Sequence, residues 1–249
     1  MAKTILITGA ASGIGEAAVR LFNEKGWNII GIDINKERLE RIKPNCMEAF
    51  VCDVSIAENV KDIAEELKKR EVTLKALFNS AGILKMGLFK EIMLDEQLKE
   101  IDINLKGIVN TIYLFFPLFE KDSLIVNMSS LSGIYGTPEL VVYSATKSAV
   151  KTLTEGLNIE FEKDSIFVCD ILVDYVKTPM IVDADYKATS VRRLGVTVSP
   201  EDVAKTVYKA VSGNRKVHYY VGIKAKGLNF LSKLFPFASR FLTKFIAFK

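Results

Sequence analysis

Strand-like and helix-like segments alternate along the chain from Lys3 to about Val221, which predicts an α/β fold with a parallel sheet covered on both faces. Two observations sharpen that expectation. The apolar run Ile5-Leu6-Ile7 turns directly through Thr8-Gly9-Ala10-Ala11-Ser12-Gly13-Ile14-Gly15 into a helical pattern. About twenty residues on, a second apolar run, Asn28-Ile29-Ile30-Gly31-Ile32, ends in the acidic Asp33. Together they predict a doubly wound, Rossmann-type sheet of about seven strands. Residues 1–222 are expected to form the one domain, with 223–249 as a basic tail. The 249 residues, 49% hydrophobic and 26% charged, supply enough apolar mass for one sizeable core. No linker, composition shift or internal repeat divides them.

The first strand is expected near residues 3–7, and Ala17, Ala18, Leu21 and Phe22 share one face of the helix that follows. A strand that turns through glycines into a helix N-terminus is an anion site, because N–H groups point outward and the helix dipole favours negative charge. Gly9 permits the tight turn, Gly13 lets the backbone approach a pyrophosphate, and Gly15 lets the helix lie close on the sheet. Ser12 and Ile14 belong to the same turn. A purely structural turn is the alternative. The second strand is expected near 28–32. Asp33 at its end can hydrogen-bond adenosine ribose hydroxyls and would repel a 2′-phosphate, or it only caps the next helix. Lys36 and Arg38 fall inside that helix and Ser12 is not basic, so the expected cofactor is NAD rather than NADP.

Strands three and four are expected near 48–52 and 74–78, followed by a long helical run over Gln97–Glu120 that contains Asn104. A polar amide on an otherwise apolar helix needs a partner, here a water near Lys147. Strand five, near 123–127, ends just before Ser130, at the carboxyl edge where open parallel sheets collect ligands. Ser129 and Ser132 compete with Ser130 for orienting a carbonyl, and only the spacing of thirteen residues to Tyr143 favours it. Tyr143 and Lys147 lie one turn apart on the next helix, so an ammonium can stand beside a phenol. A phenol with a pKa of about 10 needs roughly 4 kcal/mol in favour of its phenolate to work near pH 7, and a neighbouring cation is one source. Strands six and seven are expected near 165–172 and 217–221, with a helix starting at Ser199-Pro200-Glu201 between them.

Cys46, Cys52 and Cys169 have no metal-ligand spacing and are expected to be buried, reduced and inert. His218, the only histidine, reads as a strand residue. No metal and no nucleic-acid partner is expected. The chain enters strand one after three residues, leaving no room for a signal peptide, and no apolar run is long enough to span a bilayer. The expected location is cytoplasmic.

With these motifs in order, the chain resembles the short-chain dehydrogenase/reductase family over about residues 3–222. The resemblance rests on Thr8–Gly15, Asp33, Asp53-Val54, Asn79-Ser80-Ala81-Gly82, Asn104, Ser130 and Tyr143-x3-Lys147. It implies that Asp53 and Val54 hold adenine, and that Asn79, Ala81 and Gly82 line the adenosine ribose and brace the sheet. It further implies Tyr143 as general acid/base, Ser130 positioning the substrate oxygen, and Asn104 holding a relay water. Lys147 would bond the nicotinamide ribose and lower the Tyr143 pKa. Val176 and Thr178 would meet the carboxamide. Two departures stand out. Ser80 replaces the family's second asparagine, and Val173-Asp174 replaces its Pro-Gly. Asp174 then either brings a carboxylate to the substrate mouth or points to solvent.

Ile134, Tyr135, Leu140, Met180 and Ile181 are the candidate substrate contacts, and their character favours an apolar secondary alcohol or ketone. Arg192 and Arg193 read either as a solvated turn or as partners of an acidic group. From Lys224 to Lys249 there are six Lys/Arg and no Asp or Glu, so the total of +4 leaves −2 for the rest of the chain. Residues 228–249 follow an amphipathic period that fits either peripheral contact with an anionic membrane or packing over the pocket or a neighbouring subunit. The family commonly forms homodimers and homotetramers. The expected activity is NAD(H)-dependent interconversion of an apolar secondary alcohol and its ketone. Its rivals are an NADPH-dependent carbonyl or 3-oxoacyl reductase and a non-catalytic, membrane-associated nucleotide sensor.

Overall fold

The computed structural model describes residues 3–213, 215–222, 227, 241, 243 and 244. Its strands are β1 (Thr4–Thr8), β2 (Asn28–Asp33), β3 (Glu48–Val51), β4 (Leu74–Asn79), β5 (Phe119–Met128), β6 (Phe167–Val173) and β7 (His218–Val221). They form one sheet in the order β3-β2-β1-β4-β5-β6-β7, and every neighbouring pair is parallel. The expected doubly wound α/β sheet is therefore present. Its winding reverses between β1 and β4, the place where such sheets open a crevice at their carboxyl edge.

Side-chain alternation along β1 shows why both faces are covered. Ile5 and Ile7 join a core with Phe22 of α1 (Gly13–Glu24), Leu39 of α2 (Lys36–Ile42) and Val203 of α9 (Pro200–Ser212). Leu6 faces the other way, into a core with Val60 of α3 (Ala57–Lys69), Ile112 of α5 (Gly107–Phe115) and Val150 of α6 (Val141–Glu160).

The helical run expected over Gln97–Glu120 is shorter and interrupted. Helix α4 (Leu94–Ile101) passes into a π-helical turn, Asp102–Lys106, before α5. A 3-10 turn at Phe116–Leu118 then leads into β5, so Glu120 is already in a strand. Pro117 cannot donate to a continuing helix. Asn104 sits in the π turn, a backbone form that gathers at functional sites.

Cys52 and Cys169 are buried, Cys46 is half-buried, and all three are free thiols. Burial pushes the Cys46 and Cys52 thiols up to about 11, which keeps them protonated and inert. No metal-holding cluster occurs among the described residues. His218 does lie in β7, where Nδ1 is 2.8 Å from Asp170 and Nε2 is 3.0 Å from Glu155. Among the described residues no helix is long and apolar enough to cross a membrane. The amphipathic period expected over 228–249 lies outside them, except at 241, 243 and 244.

Candidate active site

A cleft of about 360 Å³ opens at the carboxyl edge of the sheet, where the winding reverses. One wall is the glycine turn. Gly9 (φ +64°) and Gly13 (φ +51°) take backbone conformations that side chains rarely adopt. A Cβ on Gly9 would come 2.8 Å from the Ala81 Cα, and one on Gly15 would fall 2.0 Å from the Gly9 carbonyl oxygen. Gly15 thus acts by packing and is not itself in the cleft wall, whereas Ser12, Gly13 and Ile14 are. Ser12 precedes α1 without a side-chain cap, so the first N–H groups of that helix remain available to an anion. Thr8, the first residue of the glycine turn, ties the two sides together, a role its place in the motif did not reveal. Its hydroxyl accepts the Ser80 and Ala81 N–H groups at 3.1 Å each.

Asp33 stands at the end of β2 in the same cleft. Its carboxylate accepts Ala11 N–H and Asn35 N–H, both at 2.9 Å. The cap of α2 is Asn35, which accepts Arg38 N–H at 2.9 Å, so Asp33 is not merely a helix cap. Arg38 reaches the cleft wall as well. Asp53 and Val54 follow β3 into the wall, with Asp53 accepting both the Ser55 N–H (2.9 Å) and hydroxyl (2.6 Å).

Asn79 corrects its expected role in part. It braces the sheet but does not line the cleft, because its buried amide donates to Asn127 Oδ1 (2.9 Å) and accepts from Thr111 (2.8 Å). Ser80, Ala81 and Gly82 do the lining. Asn104 is engaged by the protein as well. Its amide is fully buried and clasps the Ile83 backbone, accepting the N–H at 2.8 Å and donating to the carbonyl at 2.9 Å. The amide is therefore held by the loop after β4.

Tyr143, Lys147 and Ser130 meet at the floor of the cleft, and Ser129 and Ser132 do not compete. Ser129 is buried and donates to the Lys147 carbonyl at 3.1 Å. Ser132 donates to Ser130 Oγ through its N–H (3.2 Å) and hydroxyl (2.9 Å), so Ser130 keeps its own proton to give. Lys147 is buried, donates to the Met128 carbonyl at 2.8 Å, and holds Nζ 5.5 Å from the Tyr143 ring centroid. The expected lowering of the phenol is not found. Burial pushes Tyr143 well above its ordinary value, Ser130 pulls it down, and the charges of Glu100 and Tyr175 push it further up. Burial pushes the Lys147 ammonium down to about 8, with Glu100 opposing. Desolvation here outweighs the cation across the ring.

The far wall follows β6. Val173 and Asp174 both lie in it, so the carboxylate-bearing residue is at the cleft and not on a remote surface. Val176 is held by a bridge to Val198 and Thr178 precedes α7 (Pro179–Val182), both in the wall. Of the candidate substrate contacts, Met180 and Ile181 line the cleft. Leu140 packs beside Ile181 and Tyr143, while Ile134 turns toward Leu172 and Tyr220. Tyr135 is not in the wall. Glu139, just before α6, ties down the segment that follows α7. Glu139, strained at φ +64°, accepts the Tyr186 hydroxyl at 2.6 Å and the Thr189 N–H at the start of α8 (Thr189–Leu194). Arg192 lies over the Tyr186 ring, 5.9 Å from its centroid, and donates to Thr189 at 3.3 Å.

Comparison with known proteins agrees with this geometry. The profile of the short chain dehydrogenase family matches residues 3–188. The 3-oxoacyl-[acyl-carrier-protein] reductase FabG of Thermotoga maritima is 32% identical over 217 residues, 82% of this chain and 88% of that protein. The 3-ketoacyl-(acyl-carrier-protein) reductase of Brucella melitensis, complexed with NADH, superposes with a TM-score of 0.78 at 26% identity, over 88% of this chain and 96% of that one. ElxO with NADP bound superposes at 0.77 with 25% identity, over 89% and 97%. The chain belongs to the short-chain dehydrogenase/reductase family of oxidoreductases.

Proposed function

We propose that the protein interconverts an apolar secondary alcohol and its ketone with NAD(H), using Tyr143 as general acid/base. The observation that carries this reading is the convergence of Ser130, Tyr143 and Lys147 in the cleft that begins at the glycine turn. The cradle fits a dinucleotide, since side chains at Gly9 or Gly15 would collide with backbone and the helix α1 N-terminus lies open. Gly9, Ser12, Gly13, Ile14, Asp33, Asp53, Val54, Ala81, Gly82, Val176 and Thr178 would hold it, with Tyr143 and Lys147 at its reactive end. Gly15, Asn79 and Asn104 support these from behind. When bound, the nicotinamide supplies or accepts the hydride.

The chain's own residues handle the oxygen and its proton. Ser130, hydrogen-bonded to Tyr143, would turn its hydroxyl proton to the substrate oxygen and so fix the carbonyl beside Tyr143. A phenol held in its protonated form can donate its proton to the substrate oxygen in the reductive direction and accept it back in the oxidative one. Leu84, Tyr175, Met180 and Ile181 in the wall support an apolar substrate. Asp33 supports NAD. Arg38 in the same wall supports the rival use of NADPH. Residues 1–222 would form the catalytic unit. Leu94, Leu98, Ile101, Val109 and Tyr113 are exposed on α4, its end and α5, which supports a homo-oligomer through that face.

Fluorescence titration with NADH and NADPH, followed by turnover of 2-octanone, tests the proposal. Tighter NADH binding and a loss of about 10²–10⁴-fold in turnover for Tyr143→Phe are expected. Full activity in Tyr143→Phe would refute the catalytic assignment.

A further inference from the structure

Glu100 stands behind the catalytic floor, and neither the sequence motifs nor the proposed proton transfer uses it. It is 1% exposed, near the end of α4. Its Oε1 accepts the Lys85 N–H at 2.8 Å. Asn104, four residues on, clasps Ile83 from the same side of the helix. The loop from Gly82 to Lys85 is thus pinned twice by one helix, and Gly82, Ile83 and Leu84 are cleft wall. Gly82 is also where Lys147 arrives. A Cβ there would lie 3.1 Å from Asn104 Oδ1 and 3.8 Å from Lys147 Nζ.

Glu100 and Lys147 are both buried, so their opposite charges are poorly screened from one another. The charged groups around Glu100 are Lys85 on the loop, Lys147 and Tyr143 on α6, and Glu96 one turn back, which is ion-paired to Lys85. Burial pushes Glu100 up to about 7, with the Lys85 N–H and the Lys147 and Lys85 charges opposing. Ionised Glu100 in turn favours the Lys147 ammonium and disfavours a Tyr143 phenolate.

We propose that Glu100 is a positioning residue of the active site, whose buried carboxylate pins the pocket loop against the floor that carries Tyr143 and Lys147. The inference rests on the reading of Tyr143 and Lys147 given above. Glu100→Gln tests it, because glutamine keeps an acceptor for Lys85 and removes only the charge. Two arms separate failure of this inference from failure of the enzymatic reading.

The first arm needs neither cofactor nor substrate. Glu100 is raised from an ordinary 4.5, so its stabilising contribution is full below that pH and is lost as pH rises through about 7. The urea midpoint of Glu100→Gln should therefore rise relative to wild type from pH 4.5 to 7, then stay level. The second arm is NADH fluorescence titration against pH. Affinity should weaken about tenfold in Glu100→Gln at pH 8 to 9, as Lys147 deprotonates earlier. A midpoint difference that is flat with pH, or NADH profiles that superimpose, would overturn the proposal. If wild type itself does not bind NADH, the enzymatic reading fails while the urea arm still decides whether Glu100 titrates.

Should Glu100→Gln not fold, carbon-13 NMR of the wild-type glutamate carboxyls replaces it. One carboxyl should titrate near 7 and move to higher pH in Lys147→Met, since the coupling is reciprocal. An unmoved titration sinks the idea.

Discussion

The Asp33 carboxylate accepts the Ala11 N–H at 2.9 Å, so the acidic end of β2 and the glycine turn after β1 form one hydrogen-bonded unit. One residue thus shapes the anion-binding turn and, on the proposed NAD reading, would repel a 2′-phosphate. In Asp33→Ala the repulsion disappears while Arg38 stays in the wall. NADPH affinity should rise relative to NADH by about tenfold or more, at a stability cost of about 1 kcal/mol for the lost bond. Parallel titrations with the two nucleotides check the first, and urea denaturation the second. An unchanged preference would remove Asp33 as the selector.

Glu139 should act as the latch of the substrate cover. Burial alone would push its carboxyl up, but Tyr186, Thr189 and Arg192 bring it below the ordinary range. A lowered carboxylate contributes above its unfolded value near 4.5 and loses that contribution as pH falls through the folded value. The latch therefore holds at neutral pH and opens in acid. Glu139→Gln should raise the KM for a ketone such as 2-octanone several-fold, with kcat less affected. Protease cleavage within 183–189 should quicken in the variant, and equal cleavage rates would refute the latch.

His218 should stabilise the fold in a pH-dependent way. Its bond to Asp170 raises the imidazole above 6.5, against a smaller effect of burial. A raised histidine contributes fully below its unfolded value and loses that contribution as pH rises through the folded one. Wild type should exceed His218→Gln in urea midpoint most at pH 6, with the gap closing by pH 9. A gap constant with pH would show that the contact is not charge-dependent.

Much of this was legible in the sequence, for identifiable reasons. β1, β2 and β6 are buried on both faces, so each is a near-continuous apolar run that no exposed helix would carry. The glycine turn, Asp33, Ser130 and the Tyr143–Lys147 pair announce themselves through local spacing, because each works within one turn of its own element. What stayed hidden depends on partners distant in the chain. The segment containing Glu100 reads as Leu-Asp-Glu-Gln-Leu-Lys-Glu-Ile, an ordinary solvated helix, until Lys85 covers it. Glu139 becomes a latch only through Tyr186 and Thr189, 47 and 50 residues away. Asn79 looked like a ribose contact but is consumed by Asn127 and Thr111. The Tyr143 phenol failed for an energetic reason, since a charge's benefit is local whereas desolvation reflects everything packed around the ring.

The π turn at Asp102–Lys106 carries one residue more than a regular helix would need for the same sweep. Deleting a residue there would let α4 and α5 run on as one regular helix almost in phase, because an α-helix turns about 100° per residue and the wider turn less. Glu100 would keep its facing toward Lys85, and Ile112 its place in the core. The loss would fall on the segment that presents Asn104, and so on its clasp of Ile83. Such a shortening should leave the scaffold in place and release one of the two pins on the pocket loop.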